Sequence, residues 1–179
     1  MNLANAISLA RLLSVPVIVW LLLKREWTLA FALFVISGIS DAVDGLLARR
    51  FGMQTELGGY LDPLADKTLL VAIYLVLGWL GHLPDWLVIL VVSRDILIVG
   101  GALLSSAMGY PVAMRPLFVS KLNTVTQIAL AAAVLAELAF GWLGERLVLT
   151  MIWLVGATTV VSGAGYVGQW WRNQRKAEP

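Results

Sequence analysis

Residues 28–48 read TLAFALFVISGISDAVDGLLA, an apolar run that carries two aspartates, Asp41 and Asp44, near its end. The hydrocarbon core of a bilayer is about 30 Å thick and takes roughly 20 apolar residues per helical crossing. Runs of this length recur between short polar breaks, and the sequence predicts six of them. They cover residues 6–23, 28–48, 62–81, 84–107, 118–141 and 147–171.

The composition agrees with a chain built for lipid. Of 179 residues, 13% are charged and the mean hydropathy is +0.85, whereas a soluble domain carries about twice that share of charge. With no internal repeat and no linker, the sequence predicts an all-α integral membrane protein, a single six-transmembrane-helix bundle over residues 1–179. Cysteine is absent and His82 is the one histidine, which disfavours thiolate sites, most zinc sites and Ser-His triads. The near balance of 13 basic and 11 acidic residues argues against a nucleic-acid partner.

Lysine and arginine in the short loops predict the orientation. Seven of them fall on one side and three on the other, which places both termini in the cytoplasm. The seven are Arg49, Arg50, Arg115, Lys121, Arg172, Arg175 and Lys176, and the three are Lys24, Arg25 and Arg146. The first run lacks a basic leader and a cleavage site, so we expect it to be retained. No long transit sequence precedes it, which favours a prokaryotic plasma membrane over an organelle. Tryptophans mark the two interfaces in agreement with this topology, Trp20, Trp27, Trp79, Trp86 and Trp142 outside and Trp170 and Trp171 inside.

Four aspartates gather at the cytoplasmic end of the second and third runs. Asp41 and Asp44 are three residues apart, and Asp62 and Asp66 are four apart, so each pair shares one face of its helix. An antiparallel hairpin would bring the two faces together. Each carboxylate in the membrane costs roughly 2.5–3.5 kcal/mol on insertion scales, so four of them need a compensating positive charge. Because the ligands are all oxygen atoms, we expect one or two Mg²⁺ or Mn²⁺ ions to supply that charge.

A simpler interpretation is that the acids are solvated residues at helix ends. Asp62 before Pro63 has the pattern of an N-cap followed by proline at the first helical position. Gly45 and Ala48 could leave space beside the carboxylates or serve close helix packing. Arg49 could bind phosphate or anchor the topology.

The spacing of these residues resembles a family signature. Asp41, Asp44, Gly45, Ala48, Arg49, Gly58, Asp62 and Asp66 match all eight fixed positions of D-x2-D-G-x2-A-R-x8-G-x3-D-x3-D, the signature of the CDP-alcohol phosphotransferases. The resemblance implies a phospholipid-synthesising membrane transferase that moves a substituted phosphate from a CDP-linked donor to an alcohol and releases CMP. It also implies a homodimer.

The resemblance also implies roles for individual residues. Asp41, Asp44, Asp62 and Asp66 would ligate two metal ions, and Asp66 would also be the general base toward the acceptor hydroxyl, with Asp62 equally required for turnover. Gly45, Ala48, Arg49 and Gly58 would shape the CDP pocket together with Asp41 and Asp44. Asn5 and Ser8 resemble the family's N-terminal N-x2-T/S-x2-R element beside the nucleotide, although an amphipathic interfacial helix is an equal interpretation of these two residues.

The acceptor alcohol is predicted from the second half of the chain. Arg94 lies inside the fourth run, and with Arg115 and Lys121 it could bind an acceptor phosphate; the last two could instead be snorkelling topology markers. Because adjacent helical residues do not face each other, we expect Arg94 and Asp95 to have different partners.

Two short motifs resemble those of CMP-forming cardiolipin synthases. They are Ser93-Arg94-Asp95 and the Ser120–Gln127 run SKLNTVTQ. Phosphatidylglycerophosphate synthases tend to carry R-E and G-K-x-K-T-x2-Q at these places. The resemblance therefore implies CDP-diacylglycerol as donor and phosphatidylglycerol as acceptor, with glycerol 3-phosphate, a polyol phosphate, as the alternative.

Three further interpretations stay open at this point. A divalent-cation transporter could use the same acids, although transport sites usually lie near mid-membrane between repeated halves. Glu137 in the fifth run could pair with Arg94, face a dimer partner or reach a lipid headgroup. His82 is predicted to be a solvated loop residue rather than a metal ligand.

Overall fold

The computed structural model describes residues 3–51, 56–107 and 118–174, and within them the side chains of residues 12–40, 67–98, 100 and 118–168. The described residues form six α-helices, one for each predicted run. They are α1 (Leu3–Leu23), α2 (Trp27–Phe51), α3 (Glu56–Trp79), α4 (Asp85–Ala107), α5 (Phe118–Phe140) and α6 (Glu145–Gln174). Helices of 21 to 30 residues are about 30–45 Å long at 1.5 Å per residue.

By length and composition, two described segments are able to cross a membrane, Phe118–Phe140 and Glu145–Gly168. Shorter apolar helical segments are Leu12–Leu23, Trp27–Ser40 and Lys67–Trp79. The all-helical class is therefore confirmed, while the crossing of the membrane by all six helices stays a prediction, as does the single domain over residues 1–179.

The chain divides into two compact units, and each has its own buried interior. Unit 1 comprises residues 1–83 and 131–145, and in it α1 packs on α2 and α3. Its fully buried side chains include Ile18, Leu22, Ile73, Tyr74 and Leu77. Because these positions recur every three or four residues on α1 and on α3, each helix buries one stripe of its surface.

Helix ends in unit 1 are closed by their own backbone. After α1, Arg25 adopts a φ of 60°, Glu26 N donates to Leu21 O at 2.9 Å and Arg25 N donates to Leu22 O at 3.0 Å. This is the Schellman arrangement, with arginine in the left-handed position that glycine usually takes. Gly81, with a φ of 80°, closes α3 in the same way. The apolar runs therefore end in tight turns that satisfy the last carbonyl groups.

Unit 2 comprises residues 84–130 and 146–179, and a polar interior sets it apart. Its buried side chains include Leu87, Val91, Leu130 and Val155. Among them lies a set of buried polar residues, Arg94, Asp95, Asn123, Gln127, Thr159 and Ser162. Polar groups in an apolar helix bundle are costly unless they are paired, so this set is a candidate for function.

Large apolar side chains also cover the outer faces of the helices. Trp79 is 85% exposed and Ile96 is 66% exposed. The exposed residues include Leu13, Val17, Ile36, Ile39, Ile89, Val160 and Val161. Exposed large apolar side chains in this number suit helix faces that lie against lipid.

Candidate functional site

The four aspartates occupy two neighbouring helices along the chain. Asp41 and Asp44 fall within α2, and Asp62 and Asp66 fall within α3. Their side chains lie outside the described residues, so the convergence of the carboxylates stays a prediction. Because both segments are helical, the three- and four-residue spacings place each pair on one helix face.

The capping interpretation of Asp62 is wrong. The α3 helix begins at Glu56, so Asp62 and Pro63 lie in its second turn and Asp62 does not precede the first turn. The helix starts earlier than predicted, and its first turns include Gly58 and Gly59. Asp62 is therefore part of the helix, one turn before Asp66.

The other predicted nucleotide residues share this placement. Asn5 and Ser8 fall within α1, Gly45, Ala48 and Arg49 within α2, and Gly58 within α3. Their side chains, and all of Arg115, lie outside the described residues. Among the described residues, no group of three or more histidines, cysteines, aspartates or glutamates could hold a metal ion. The oxygen-only chemistry of the four aspartates fits Mg²⁺ or Mn²⁺.

Arg94 is the centre of the polar interior of unit 2. Its side chain is 5% exposed. The guanidinium Nη1 donates to Asp95 Oδ1 at 2.7 Å, Nε and Nη2 donate to Ser162 Oγ at 3.2 and 2.7 Å, and Nη2 donates to Ser120 Oγ at 2.5 Å. The guanidinium carbon also lies 5.9 Å from the centre of the Tyr166 ring. Four of the five N–H groups of the guanidinium are thus engaged, by α4, α5 and α6.

The expectation that Arg94 and Asp95 have different partners is wrong in one respect. They form an ion pair with each other at 2.7 Å, although they are adjacent in sequence. The long, flexible arginine side chain folds back so that its Nη1 reaches the neighbouring carboxylate. Because both partners are buried, either charge left without the other would be costly.

A second polar group lies next to Arg94 along α5 and α6. Asn123 is fully buried, and its Oδ1 accepts from Thr158 Oγ1 and Thr159 Oγ1, both at 2.9 Å. Thr126 Oγ1 lies 3.2 Å from Thr158 Oγ1 and donates to Asn123 O at 2.9 Å. Sequence reasoning missed Thr158, Thr159 and Ser162. Their three- and four-residue spacing in an apolar helix was the available signal.

The remaining predicted charges are placed as follows. Lys121 is exposed, next to Ser120, which Arg94 binds.

Glu137 is hydrogen-bonded within the turn that follows α5: Glu137 Oε2 accepts from Leu143 N at 2.7 Å and from Gly144 N at 3.0 Å. None of the three interpretations of Glu137 included this role. Because Gly144 has a φ of 74°, the carboxylate holds a turn that needs glycine before α6 begins.

His82 is half-buried rather than fully solvated. Its ring meets the Trp27 ring edge-on, with the ring centres 5.2 Å apart. Burial lowers the pKa of His82, and the charge of Arg25 lowers this pKa further. The neutral imidazole is therefore the form that packs in this turn.

Comparison with known proteins gives one family. A family model described as CDP-alcohol phosphatidyltransferase matches residues 1–161. The chain is 39% identical to a chloroplastic CDP-diacylglycerol–glycerol-3-phosphate 3-phosphatidyltransferase 1 of Oryza sativa subsp. japonica, over 93% of the chain and 56% of that protein. It is 30% identical to the cardiolipin synthase (CMP-forming) of Rattus norvegicus, over 89% of the chain and 58% of that protein.

A bacterial relative matches over nearly its whole length. The chain is 34% identical to the CDP-diacylglycerol–glycerol-3-phosphate 3-phosphatidyltransferase of Bacillus subtilis, over 95% of each. By contrast, the chain spans somewhat more than half the length of the rice and rat proteins.

Proposed function

Because the chain belongs to the CDP-alcohol phosphatidyltransferase family, we propose that it transfers a phosphatidyl group from CDP-diacylglycerol to an alcohol and releases CMP, in phospholipid synthesis. The observation that carries this proposal is the family match over residues 1–161, which includes all eight signature positions. The same match favours a transferase over a divalent-cation transporter.

The proposed reaction is a single displacement at phosphorus. The acceptor oxygen attacks the phosphorus distal to cytidine, the bond from that phosphorus to the oxygen of CMP breaks, and CMP leaves with the electron pair. The hydroxyl proton goes to Asp66 as general base, because an alcohol needs a carboxylate within hydrogen-bond reach and His82 lies in the turn between α3 and α4.

Asp41, Asp44, Asp62 and Asp66 would hold two divalent cations, Mg²⁺ or Mn²⁺. When bound, such ions neutralise charge on the diphosphate and orient the reacting phosphorus. Gly45, Ala48, Arg49 and Gly58, with Asn5 and Ser8, would line the CDP pocket. Arg94, Arg115 and Lys121 would bind the phosphate of the acceptor, Arg94 with its fifth N–H.

We propose phosphatidylglycerol as the acceptor, which gives cardiolipin. The Arg94-Asp95 pair and the Ser120–Gln127 motif support it, as does the likeness to the rat cardiolipin synthase. Glycerol 3-phosphate is the second candidate, favoured by the 39% and 34% identities to the rice and Bacillus subtilis proteins.

The same proposal includes a location. We propose six membrane crossings, with both termini and the aspartates on the cytoplasmic side of a prokaryotic plasma membrane, and a homodimer. The apolar outer faces of the helices support embedding in lipid. Because the chain has no cysteine, a single cysteine placed at His82 or at Lys121 reports its side. An impermeant thiol reagent on intact cells should label the first and spare the second, and the reverse would overturn the orientation.

The deciding experiment gives the purified protein CDP-diacylglycerol and Mg²⁺ with one acceptor at a time: phosphatidylglycerol, glycerol 3-phosphate, inositol 1-phosphate or serine. CMP is quantified and the lipid product is identified by mass. Cardiolipin supports the proposal, and phosphatidylglycerophosphate supports the second candidate. Asp62→Asn and Asp66→Asn should each abolish CMP release, and turnover near the wild-type rate in either would refute the assigned roles. Metal flux into sealed vesicles without CDP-lipid would instead support transport.

A further inference from the structure

Only one end of the buried Asn123 amide has hydrogen-bond partners among the described residues. Its Oδ1 accepts from Thr158 and Thr159, both at 2.9 Å, and its side chain is fully buried. Its Nδ2 has no hydrogen-bond partner among the described residues. A buried donor left unpaired loses its hydrogen bond to water without replacement, and native proteins seldom keep one without a reason.

Turning the amide over does not remove the problem. Both threonine hydroxyls meet the same end of the Asn123 side chain, so one end always lacks a partner. The unpaired end therefore points to a group that the described residues do not provide.

The location of Asn123 indicates what that group is. On α5, Asn123 follows Ser120 by three residues, and on α6, Thr159 precedes Ser162 by three, so each pair lies on one helix face. Ser120 and Ser162 both bind the Arg94 guanidinium. We call the region between α5 and α6 at Ser120, Asn123, Thr159 and Ser162 the α5–α6 seam. The Asn123 amide lies in this seam, one helical turn from the serines that bind Arg94. We have proposed that Arg94 faces the acceptor phosphate.

The charge of the seam restricts the ligand further. Among the described residues, the buried charged side chains are Arg94 and Asp95, and their ion pair at 2.7 Å leaves no net charge in the buried part of the seam. Lys121, which we have proposed for the acceptor phosphate, is exposed, so solvent and salt screen its charge. The other buried polar groups there are neutral amides and hydroxyls. A phosphomonoester carries about −1.5 to −2 charges at pH 7, whereas a phosphodiester carries one, so a monoester is the more expensive to bury here.

We propose that Asn123 is a specificity-determining residue: its Nδ2 donates to an oxygen of the acceptor, and the neutral seam around it selects a phosphodiester alcohol over a phosphomonoester alcohol. This rests on the proposed function, since it assumes transfer to an acceptor that reaches Arg94. It adds a residue and a charge rule that explain the choice between the two candidate acceptors.

Two substitutions of Asn123 separate binding from packing. Asn123→Leu removes both ends of the amide at similar size, and Asn123→Asp keeps the oxygen that Thr158 and Thr159 bind but replaces the N–H donor by an oxygen. Thr150→Ala is the matched control on α6, because Thr150 is exposed and its hydroxyl donates to Arg146 O at 2.8 Å within its own helix. Each variant is assayed with CDP-diacylglycerol and either phosphatidylglycerol in detergent micelles or glycerol 3-phosphate.

The wild type should prefer phosphatidylglycerol. Asn123→Leu should raise the KM for phosphatidylglycerol about tenfold, with the KM for CDP-diacylglycerol unchanged. Asn123→Asp should raise the acceptor KM further, because the new carboxylate repels the acceptor phosphate. A packing role predicts the opposite order, with Asn123→Asp milder than Asn123→Leu. If one variant fails to fold, the acceptor and donor KM values of the other still decide.

The outcomes separate this inference from the function on which it rests. A wild type that releases CMP with neither acceptor overturns the proposed function. A wild type that prefers glycerol 3-phosphate keeps the transferase and overturns the charge rule. Variants of Asn123 whose acceptor KM matches that of Thr150→Ala overturn the role of the amide.

Discussion

Replacing Asp95 by alanine is expected to destabilise the protein more than any change of an exposed acid on the same helix. Asp95 and Arg94 are 4% and 5% exposed, and their charged atoms lie 2.7 Å apart. At an effective dielectric constant of about 20, two unit charges at that distance attract by about 6 kcal/mol. Desolvation offsets part of this, and removal of one partner of a buried pair typically costs about 3–5 kcal/mol.

The assay is thermal unfolding of the full chain in detergent, with intrinsic tryptophan fluorescence as the signal. A loss of 3–5 kcal/mol lowers the Tm of a chain of this size by on the order of 10 °C. Asp95→Asn keeps an oxygen for the guanidinium and should lose about 2 kcal/mol. The control is Asp85→Ala, because Asp85 is exposed at the start of α4 and is worth about 0.3–1 kcal/mol there. Equal Tm losses for Asp95→Ala and Asp85→Ala would refute the buried-pair reasoning.

Three further predictions concern the helix packing and the turns. Gly156→Ala should lower the Tm, since its new Cβ would lie 2.9 Å from the Trp86 ring. Gly163→Ala, whose nearest contact would be at 3.9 Å, should raise the free energy of unfolding by up to about 1 kcal/mol through helix propensity, and the Tm with it. Shifts of the same sign for both variants in a thermal melt would contradict this. Glu137→Gln should cost about 1–2 kcal/mol, because two backbone N–H groups lose a charged acceptor, and amide hydrogen exchange should show faster opening of residues 143 and 144. His82 has a lowered pKa in the folded state, so its stabilisation is present above about pH 6.5 and is lost as the pH falls through the folded value; His82→Phe should flatten that part of the Tm-against-pH curve, and an unchanged slope would exclude His82 as its source.

Much of the fold was predictable because it depends on local composition. Apolar runs of bilayer length, broken by charged or glycine-containing turns, mark helices wherever they occur, and each of the six predicted runs matches a described helix. The hydropathy pattern predicts that the third helix begins at residue 62, whereas α3 begins at Glu56. Boundaries of this kind depend on how far the backbone can continue beyond the apolar residues, which hydropathy does not report.

The candidate site was also predictable only in part. The aspartate signature is readable in the printed sequence because its residues are close along the chain and repeat at helical spacing. The partners of Arg94 are not readable, since Ser162 lies 68 positions further on and Asp95 is its immediate neighbour. Which serine among several is reached depends on the register of one helix against another.

The sequence by itself therefore determined the helices, their apolar faces and the acidic motif, because each follows from the order of neighbouring residues. The tertiary structure decided which polar groups are buried together: the Arg94–Asp95 pair, the half-paired amide of Asn123 and the turn bound by Glu137. The physical reason is that a buried polar group must find its partners in space, and side-chain reach and helix register set those partners.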